Sequence, residues 1–270
     1  MSIIDIVLGG LIGILAGGIA NALADYLPAA RFVAAGEADA RGRPLRPHYP
    51  DGSVRQPVTW LALLAFAAGR RESPGGARLG WRHLLVEAGL GIACALIVGH
   101  YGWSGQTLFN LLVVAILALI TVIDIEHRLI LLAVILPACL VALLRSLFAP
   151  PPAWQDAVLG GGLGFLLFFV MYLGGLGFSR LMRTDTVAFG FGDVLLGTLS
   201  GMLLGWRLIL LALILTILLG AAGSLLYLLS RFISRRRYSL FTALPYGPYI
   251  VLATVLMIFW RDEIRALLIR

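Results

Sequence analysis

The chain consists mainly of long, uninterrupted apolar runs separated by short polar segments. A run of about 20 apolar residues is long enough to cross a lipid bilayer as an α-helix. The runs are continuous and do not alternate between polar and apolar positions, so membrane-spanning strands are not expected. The pattern predicts eight membrane helices, at residues 3–23, 83–103, 106–124, 129–148, 157–178, 187–206, 208–229 and 240–260.

The sizeable polar segment lies between the first two runs, at residues 25–82, and is rich in Arg, Gly, Pro and Ala. Within it, residues 57–69 are apolar but too few to span a membrane, which favours an interfacial or re-entrant helix. No basic segment precedes the first run, so we expect that run to be retained as a span. The sequence therefore predicts an all-α integral membrane protein with about eight transmembrane helices. Its parts are a first helix at 1–24, a cytoplasmic loop at 25–82 and a seven-helix membrane domain at 83–270.

The composition supports a membrane protein, because 60% of the residues are hydrophobic and only 13% are charged. The formal net charge is +7, and all 21 basic residues are arginines. These arginines lie between the apolar runs, where they set the orientation in the bilayer, so we expect a lipid partner and no nucleic acid. Cys94 and Cys139 both lie inside apolar runs and predict neither a disulfide nor a zinc site.

The arginines are distributed unequally between the two faces of the membrane. If residues 25–82 are cytoplasmic, 16 arginines lie on the cytoplasmic side and five on the other side. The positive-inside rule selects this orientation, with both termini outside. The same orientation places Asp124 and Asp193 towards the cytoplasmic face.

Two aspartates interrupt the apolar runs and are the main candidates for chemistry. Asp124 closes the third run, and Asp193 lies in Gly190-Phe191-Gly192-Asp193. An ionisable group at membrane depth is costly and is by default a functional candidate. Two carboxylates that meet can share one proton, so that one activates water while the other hydrogen-bonds the scissile carbonyl. The alternatives are a solvated interfacial carboxylate for Asp124 and a carboxylate bonded within a glycine-lined packing face for Asp193.

Small and helix-breaking residues accompany the aspartates. Gly190 and Gly192 would let a substrate backbone approach closely, because they carry no Cβ. Pro245, Gly247 and Pro248 are expected to break or kink the last helix and to shape the space near the aspartates.

Five stretches of the chain resemble, in the same order, those of the bacterial type IV prepilin peptidases, membrane-embedded aspartic proteases of the Gly-x-Gly-Asp class. They are a glycine- and asparagine-containing segment ending in Leu27-Pro28, Arg82-His83-Leu84-Leu85-Val86-Glu87, Ile123-Asp124, Gly190-Phe191-Gly192-Asp193 and Leu244-Pro245-Tyr246-Gly247-Pro248. Each stretch is short, and the ordered set on an eight-helix background is much more specific. The resemblance implies that Asp124 and Asp193 are the catalytic pair.

The resemblance further implies that the protein removes the short basic leader of prepilins or pseudopilins on the cytoplasmic side of a prokaryotic inner membrane. Many members of that family also methylate the new N-terminus, so S-adenosylmethionine is an expected cofactor if that activity is retained; proteolysis needs none. Glu87 would accept the basic leader or the amine of the substrate. The alternative for Glu87 is an interfacial carboxylate paired with Arg82 or His83.

The chain departs from that family in its first loop. Many members carry two Cys-x-x-Cys pairs there, thought to bind zinc, whereas residues 25–82 contain no cysteine, so no metal is expected. Two other functions fit the residues. One is a proton-coupled small transporter that uses Asp124 and Asp193, although the chain shows no related halves. The other is a related Gly-x-Gly-Asp peptidase with a different substrate.

Overall fold

The structure is a computed structural model that describes residues 2–34, 46–182, 190–233, 245–260 and 263–264. The chain divides into two compact units, an N-terminal unit at Met1–His127 and a C-terminal unit at Arg128–Arg270. Within the described ranges the main helices are α1 (Ile3–Ala34), α2 (Ala62–Ala67), α3 (Trp81–Tyr101), α4 (Gly105–His127), α5 (Leu132–Phe148), α6 (Trp154–Met182), α7 (Phe191–Leu204), α8 (Trp206–Ile233) and α9 (Gly247–Phe259).

Helices occupy the apolar runs, and the predicted all-α membrane fold is confirmed. By length and composition α1, α3, α4, α6 and α8 can cross a bilayer. The apolar helices α5, α7 and α9 have 17, 14 and 13 residues. At 1.5 Å per residue, α7 is about 21 Å long, shorter than a hydrocarbon layer of about 30 Å. The predicted starts of the sixth and eighth runs, at residues 187 and 240, lie outside the described residues, and the count of eight crossings stays a prediction.

Close packing of α1 against α3 organises the N-terminal unit. A Cβ on Gly13 would lie 2.3 Å from the Leu90 carbonyl oxygen, and one on Gly17 would lie 2.6 Å from the Glu87 Cα. The two helices therefore run antiparallel with their backbones nearly in contact. α1 extends to Ala34, beyond the predicted end at residue 24, although Pro28 lies inside it and cannot donate a backbone hydrogen bond.

The described part of the loop, residues 46–80, is folded around two tight turns. His48 pairs with Val54 across the first turn, and Glu72 pairs with Arg78 across the second. Glycines with a φ of +84° stand in both turns, a conformation that other residues rarely adopt. Between the turns lie a 3-10 helix at Pro57–Thr59 and the six-residue α2, so the short helix expected at 57–69 is present.

In the C-terminal unit α7 is the central helix, with contacts to α5, α6, α8 and α9. Glycines let α6 and α7 approach closely. A Cβ on Gly201 would lie 2.0 Å from the Gly160 carbonyl oxygen, and one on Gly164 would lie 2.4 Å from the Gly197 carbonyl oxygen. Gly160 and Gly164 of α6, like Gly197 and Gly201 of α7, have the four-residue spacing of small residues that is typical of tightly packed membrane helices. The short helix α7, which carries Asp193, therefore packs against four other helices of the C-terminal unit.

Candidate functional site

Asp124 lies in the last turn of α4, in the N-terminal unit. Its exposed fraction is 5%, whereas Ile125, Glu126 and His127, which follow it, are exposed. The buried face of this turn continues the apolar face of α4 through Ile120 and Ile123. Asp124 is therefore a buried carboxylate at a helix end, rather than the solvated one that the alternative interpretation describes.

Asp193 lies in the first turn of α7, in the C-terminal unit, and is also buried, with an exposed fraction of 9%. Its Oδ2 accepts a hydrogen bond of 3.0 Å from the backbone N–H of Gly190, which precedes the helix in an extended conformation. The N-terminal end of a helix carries partial positive charge and is a favourable place for a carboxylate. The predicted run places Asp193 well inside a helix, but α7 begins at Phe191 and brings it to the helix end.

The two glycines before Asp193 have different surroundings. A Cβ on Gly192 would lie 2.9 Å from the Ile130 Cβ, closer than side-chain atoms pack, so this glycine is required by packing within the C-terminal unit. A Cβ on Gly190 would meet Asp193 Oδ2 at 3.6 Å, an ordinary contact. Space for a substrate backbone beside Gly190 stays a prediction, whereas the small size of Gly192 already has a structural cause.

Pro245, Gly247 and Pro248 begin the last helix. α9 starts at Gly247, and Pro248 occupies its first turn, where no backbone hydrogen bond is lost. α9 thus begins at these residues, inside the predicted run 240–260, and their role in shaping the space near the aspartates stays a prediction. Tyr246, which lies between Pro245 and Gly247, packs its ring against Gly220 of α8. The feature of the sequence that points to this tyrosine is the group of prolines and glycine around it, Pro245, Gly247 and Pro248.

Glu87 is almost fully buried in α3, with an exposed fraction of 1%. Its Oε1 accepts the backbone N–H of Ala62 at 2.8 Å, and its Oε2 accepts that of Leu63 at 2.9 Å. The carboxylate thus caps the first turn of α2 and fastens the loop to the membrane helices. Both oxygens of Glu87 bind backbone groups of α2, and neither of these bonds is the pairing with Arg82 or His83 that was the alternative. Contact of Glu87 with a substrate stays a prediction.

An ionic network at the start of α3 joins the three long helices of the N-terminal unit. Arg82 Nη2 donates to Asp25 Oδ1 of α1 at 2.7 Å, and Arg82 Nη1 donates to Glu126 Oε2 of α4. His83 Nε2 lies 3.2 Å from Asp25 Oδ2. The sequence did not identify Asp25, because its partners are more than fifty residues away along the chain.

The described residues do not fit a zinc ion, since nowhere among them do three His, Cys, Asp or Glu side chains gather as ligands. Several buried polar atoms of the N-terminal unit have no hydrogen-bond partner among the described residues, among them Asn21 Oδ1, Arg55 Nε and Nη2, Arg82 Nε and His83 Nδ1. Burial lowers the pKa of the Arg55 guanidinium, and the carboxylates of Glu87 and Asp25 partly oppose that shift. Such atoms are suited to hold water or a polar ligand.

Comparisons with known proteins identify the family of the chain. The sequence profile described as the type IV leader peptidase family matches residues 111–225, which include both Asp124 and Asp193. A prepilin leader peptidase/N-methyltransferase of Pseudomonas putida is 31% identical over 207 residues, which cover 76% of this chain and 68% of that protein. Proteins of the same name from Stutzerimonas stutzeri and Pseudomonas aeruginosa are 26% and 28% identical, over 67% and 66% of their lengths.

The chain spans about two thirds of the length of these three relatives. No solved structure matches the chain significantly. The match to the family profile and the identity to the Pseudomonas putida protein over two thirds of its length show that this chain belongs to the type IV leader peptidase family.

Proposed function

We propose that the protein is a membrane aspartic endopeptidase that removes the leader of type IV prepilins or pseudopilins, with Asp124 and Asp193 as its two catalytic carboxylates. The observation that carries this proposal is the family match over residues 111–225, which contain two buried aspartates, each at the end of an apolar helix. Membership of a peptidase family does not favour the transporter alternative.

The chemistry follows from the properties of paired carboxylic acids. Two carboxyl groups that lie close together share one proton, because both cannot easily be ionised. The ionised group takes a proton from water as the water oxygen attacks the scissile carbonyl carbon, and the protonated group donates a hydrogen bond to the carbonyl oxygen. Collapse of the tetrahedral intermediate breaks the C–N bond, and the leaving amine takes up a proton.

The substrate and the membrane face are parts of the same proposal. Relatives that the chain matches are named prepilin leader peptidases, and the arginine distribution favours a cytoplasmic position for the polar loop. An uncleaved, positively charged leader is retained on that side of the inner membrane for the same reason. Gly190, Pro245, Gly247 and Pro248 lie at the starts of α7 and α9 and are proposed to shape the site.

N-terminal methylation is a proposed second activity, because the same relatives are named N-methyltransferases. S-adenosylmethionine supplies a methyl group when it is bound to a protein of this kind. Asn21, Arg55 and His83 are the candidate residues for such a ligand, because they carry the buried polar atoms without partners. A ligand that supplies both donors and acceptors would satisfy them.

The test is co-expression with candidate prepilins, followed by mass measurement of the prepilin N-terminus, which reports leader removal and an added methyl group together. We expect Asp124→Asn and Asp193→Asn each to lower cleavage roughly 10²- to 10⁴-fold, the usual contribution of a positioned acid or base. Asp156→Asn is the matched control, because Asp156 lies at the start of α6 and accepts a hydrogen bond from Trp206. Parent-like cleavage by either catalytic variant, while the protein remains inserted, would refute the proposal.

A further inference from the structure

We propose that Arg82 is a positioning residue for Asp124: its guanidinium ties the last turn of α4 to α1 and α3 and so fixes the catalytic carboxylate. This inference rests on the proposed function, in which Asp124 is catalytic. Arg82 itself is not proposed to touch the substrate.

The geometry that supports this role is the double contact of one side chain. Arg82 stands in the first turn of α3, and its two terminal nitrogens reach different helices, Nη2 to Asp25 of α1 and Nη1 to Glu126 of α4. His83, the next residue, contacts the second oxygen of Asp25 and thereby orients that carboxylate. One guanidinium therefore joins the start of α3 and the last turn of α4 to α1.

The Arg82–Asp25 contact is partly buried, where an ion pair is stronger than at the surface, whereas the Arg82–Glu126 contact lies at the exposed end of α4. The exposed fractions of the side chains are 20% for Arg82, 15% for Asp25 and 35% for Glu126. Only the planar fork of arginine can bridge two carboxylates in fixed directions, because a lysine ammonium is a single point charge on a flexible stem. Loss of Arg82 would also leave Asp25 and Glu126 as neighbouring negative charges without their shared cation.

The link to Asp124 is the short distance along α4. Glu126 comes two residues after Asp124 in the same last turn, and the chain leaves the helix at Arg128, which has a φ of +53°. The last carbonyls of a helix have no intrahelical donors, so an end without an anchor frays. Asp124 is buried on one side of this turn while Glu126 is held on another, and the Glu126–Arg82 pair therefore restrains the direction of the Asp124 side chain.

The experiment compares four variants of the full-length protein: Arg82→Gln, Arg82→Lys, Glu126→Gln and Arg78→Gln. Arg78 is the matched control, an arginine just before α3 whose pair with Glu72 is exposed. We measure kcat and KM for prepilin cleavage, and amide hydrogen exchange of the peptide covering residues 118–127. Arg82→Gln should lower kcat roughly 10- to 100-fold with little change in KM, because a misplaced catalytic group mainly slows the chemical step and leaves substrate binding intact.

The exchange measurement gives a second readout that does not depend on activity. We expect faster exchange at the end of α4 in Arg82→Gln and Glu126→Gln, partial recovery of both kcat and protection in Arg82→Lys, and parent values in Arg78→Gln. Glu126→Gln leaves the Arg82–Asp25 pair in place, so it tests the α4 contact if Arg82→Gln fails to fold.

Three results would overturn the inference: parent-like kcat in Arg82→Gln, a rise in KM alone, or lost activity with unchanged exchange at residues 118–127. An increase in kcat would overturn it as well, since Arg82 would then restrain the site unproductively. If the parent itself shows no Asp124-dependent cleavage, the proposed function fails, while the exchange data still decide whether Arg82 anchors α4.

Discussion

A single carboxylate, that of Asp51, holds the two turns of the polar loop together. Its Oδ2 accepts a hydrogen bond from the Ser73 hydroxyl, and its Oδ1 accepts hydrogen bonds from the Ser53 N–H and hydroxyl. The Ser73 oxygen in turn accepts backbone N–H groups of its own turn, from Gly75 and Ala77. These donors, Ser73 first, lower the pKa of Asp51 below its ordinary value of 3.8.

The lowered pKa of Asp51 predicts how the loop responds to acid. A depressed folded-state pKa contributes stability above the ordinary pKa, and this contribution is lost as the pH falls through the folded-state value. We expect Asp51→Asn to speed amide exchange at residues 49–55 and 73–77 at about pH 6. The difference between variant and parent should shrink towards about pH 3, once intrinsic exchange rates are corrected. A difference that persists unchanged in acid would contradict this account.

Residue types in the sequence identified the candidate carboxylates but not their partners. Asp124 and Asp193 stand out because charge is rare in apolar runs, and that reasoning needs no tertiary structure. The partners of Glu87 are backbone groups of α2, and those of Asp25 are Arg82 and His83. Such contacts depend on how the loop and α1 pack against α3, which local pattern does not encode.

In the C-terminal unit, the close contact between the backbones of α6 and α7 can be tested by adding a methyl group at the contact. We expect Gly201→Ala to destabilise the protein by about 1–3 kcal/mol, the usual cost of overpacking, since its Cβ would meet the Gly160 backbone. Gly162→Ala is the matched control on α6, because nothing lies within 4 Å of a Cβ there. Thermal unfolding in detergent measures both, and equal midpoints for the two variants would show that the close approach is absent.

Apolar pattern predicted where the helices lie better than how long they are. α1 continues past the apolar run, where Asp25 binds Arg82 of α3, and ends at Ala34. α7 is shorter than its run, because Gly190 is extended and Gly205, with a φ of +78°, ends the helix. Helix ends thus depend on capping and tertiary contacts, which a hydropathy window does not detect.

At the scale of the whole molecule, aromatic–acid pairs mark one end of the helices in each unit. Trp103 Nε1 donates to Asp5 in the N-terminal unit, and Trp206 Nε1 donates to Asp156 in the C-terminal unit. Tryptophans of this kind are enriched at the membrane–water interface. In the N-terminal unit the pair stands at the start of α1 and just after α3, whereas the arginine-rich loop joins the other ends of these helices.

This arrangement predicts opposite accessibility for two positions in the N-terminal unit. In a background with Cys94→Ala and Cys139→Ala, we expect Val58→Cys to react with a membrane-impermeant thiol reagent only in inverted inner-membrane vesicles, and Gly105→Cys only in intact spheroplasts. Val58 is 60% exposed in the loop, and nothing lies within 4 Å of a Cβ on Gly105 at the start of α4. Labelling of Val58→Cys in intact spheroplasts would contradict the arginine-based orientation, and with it a cytoplasmic site for leader removal.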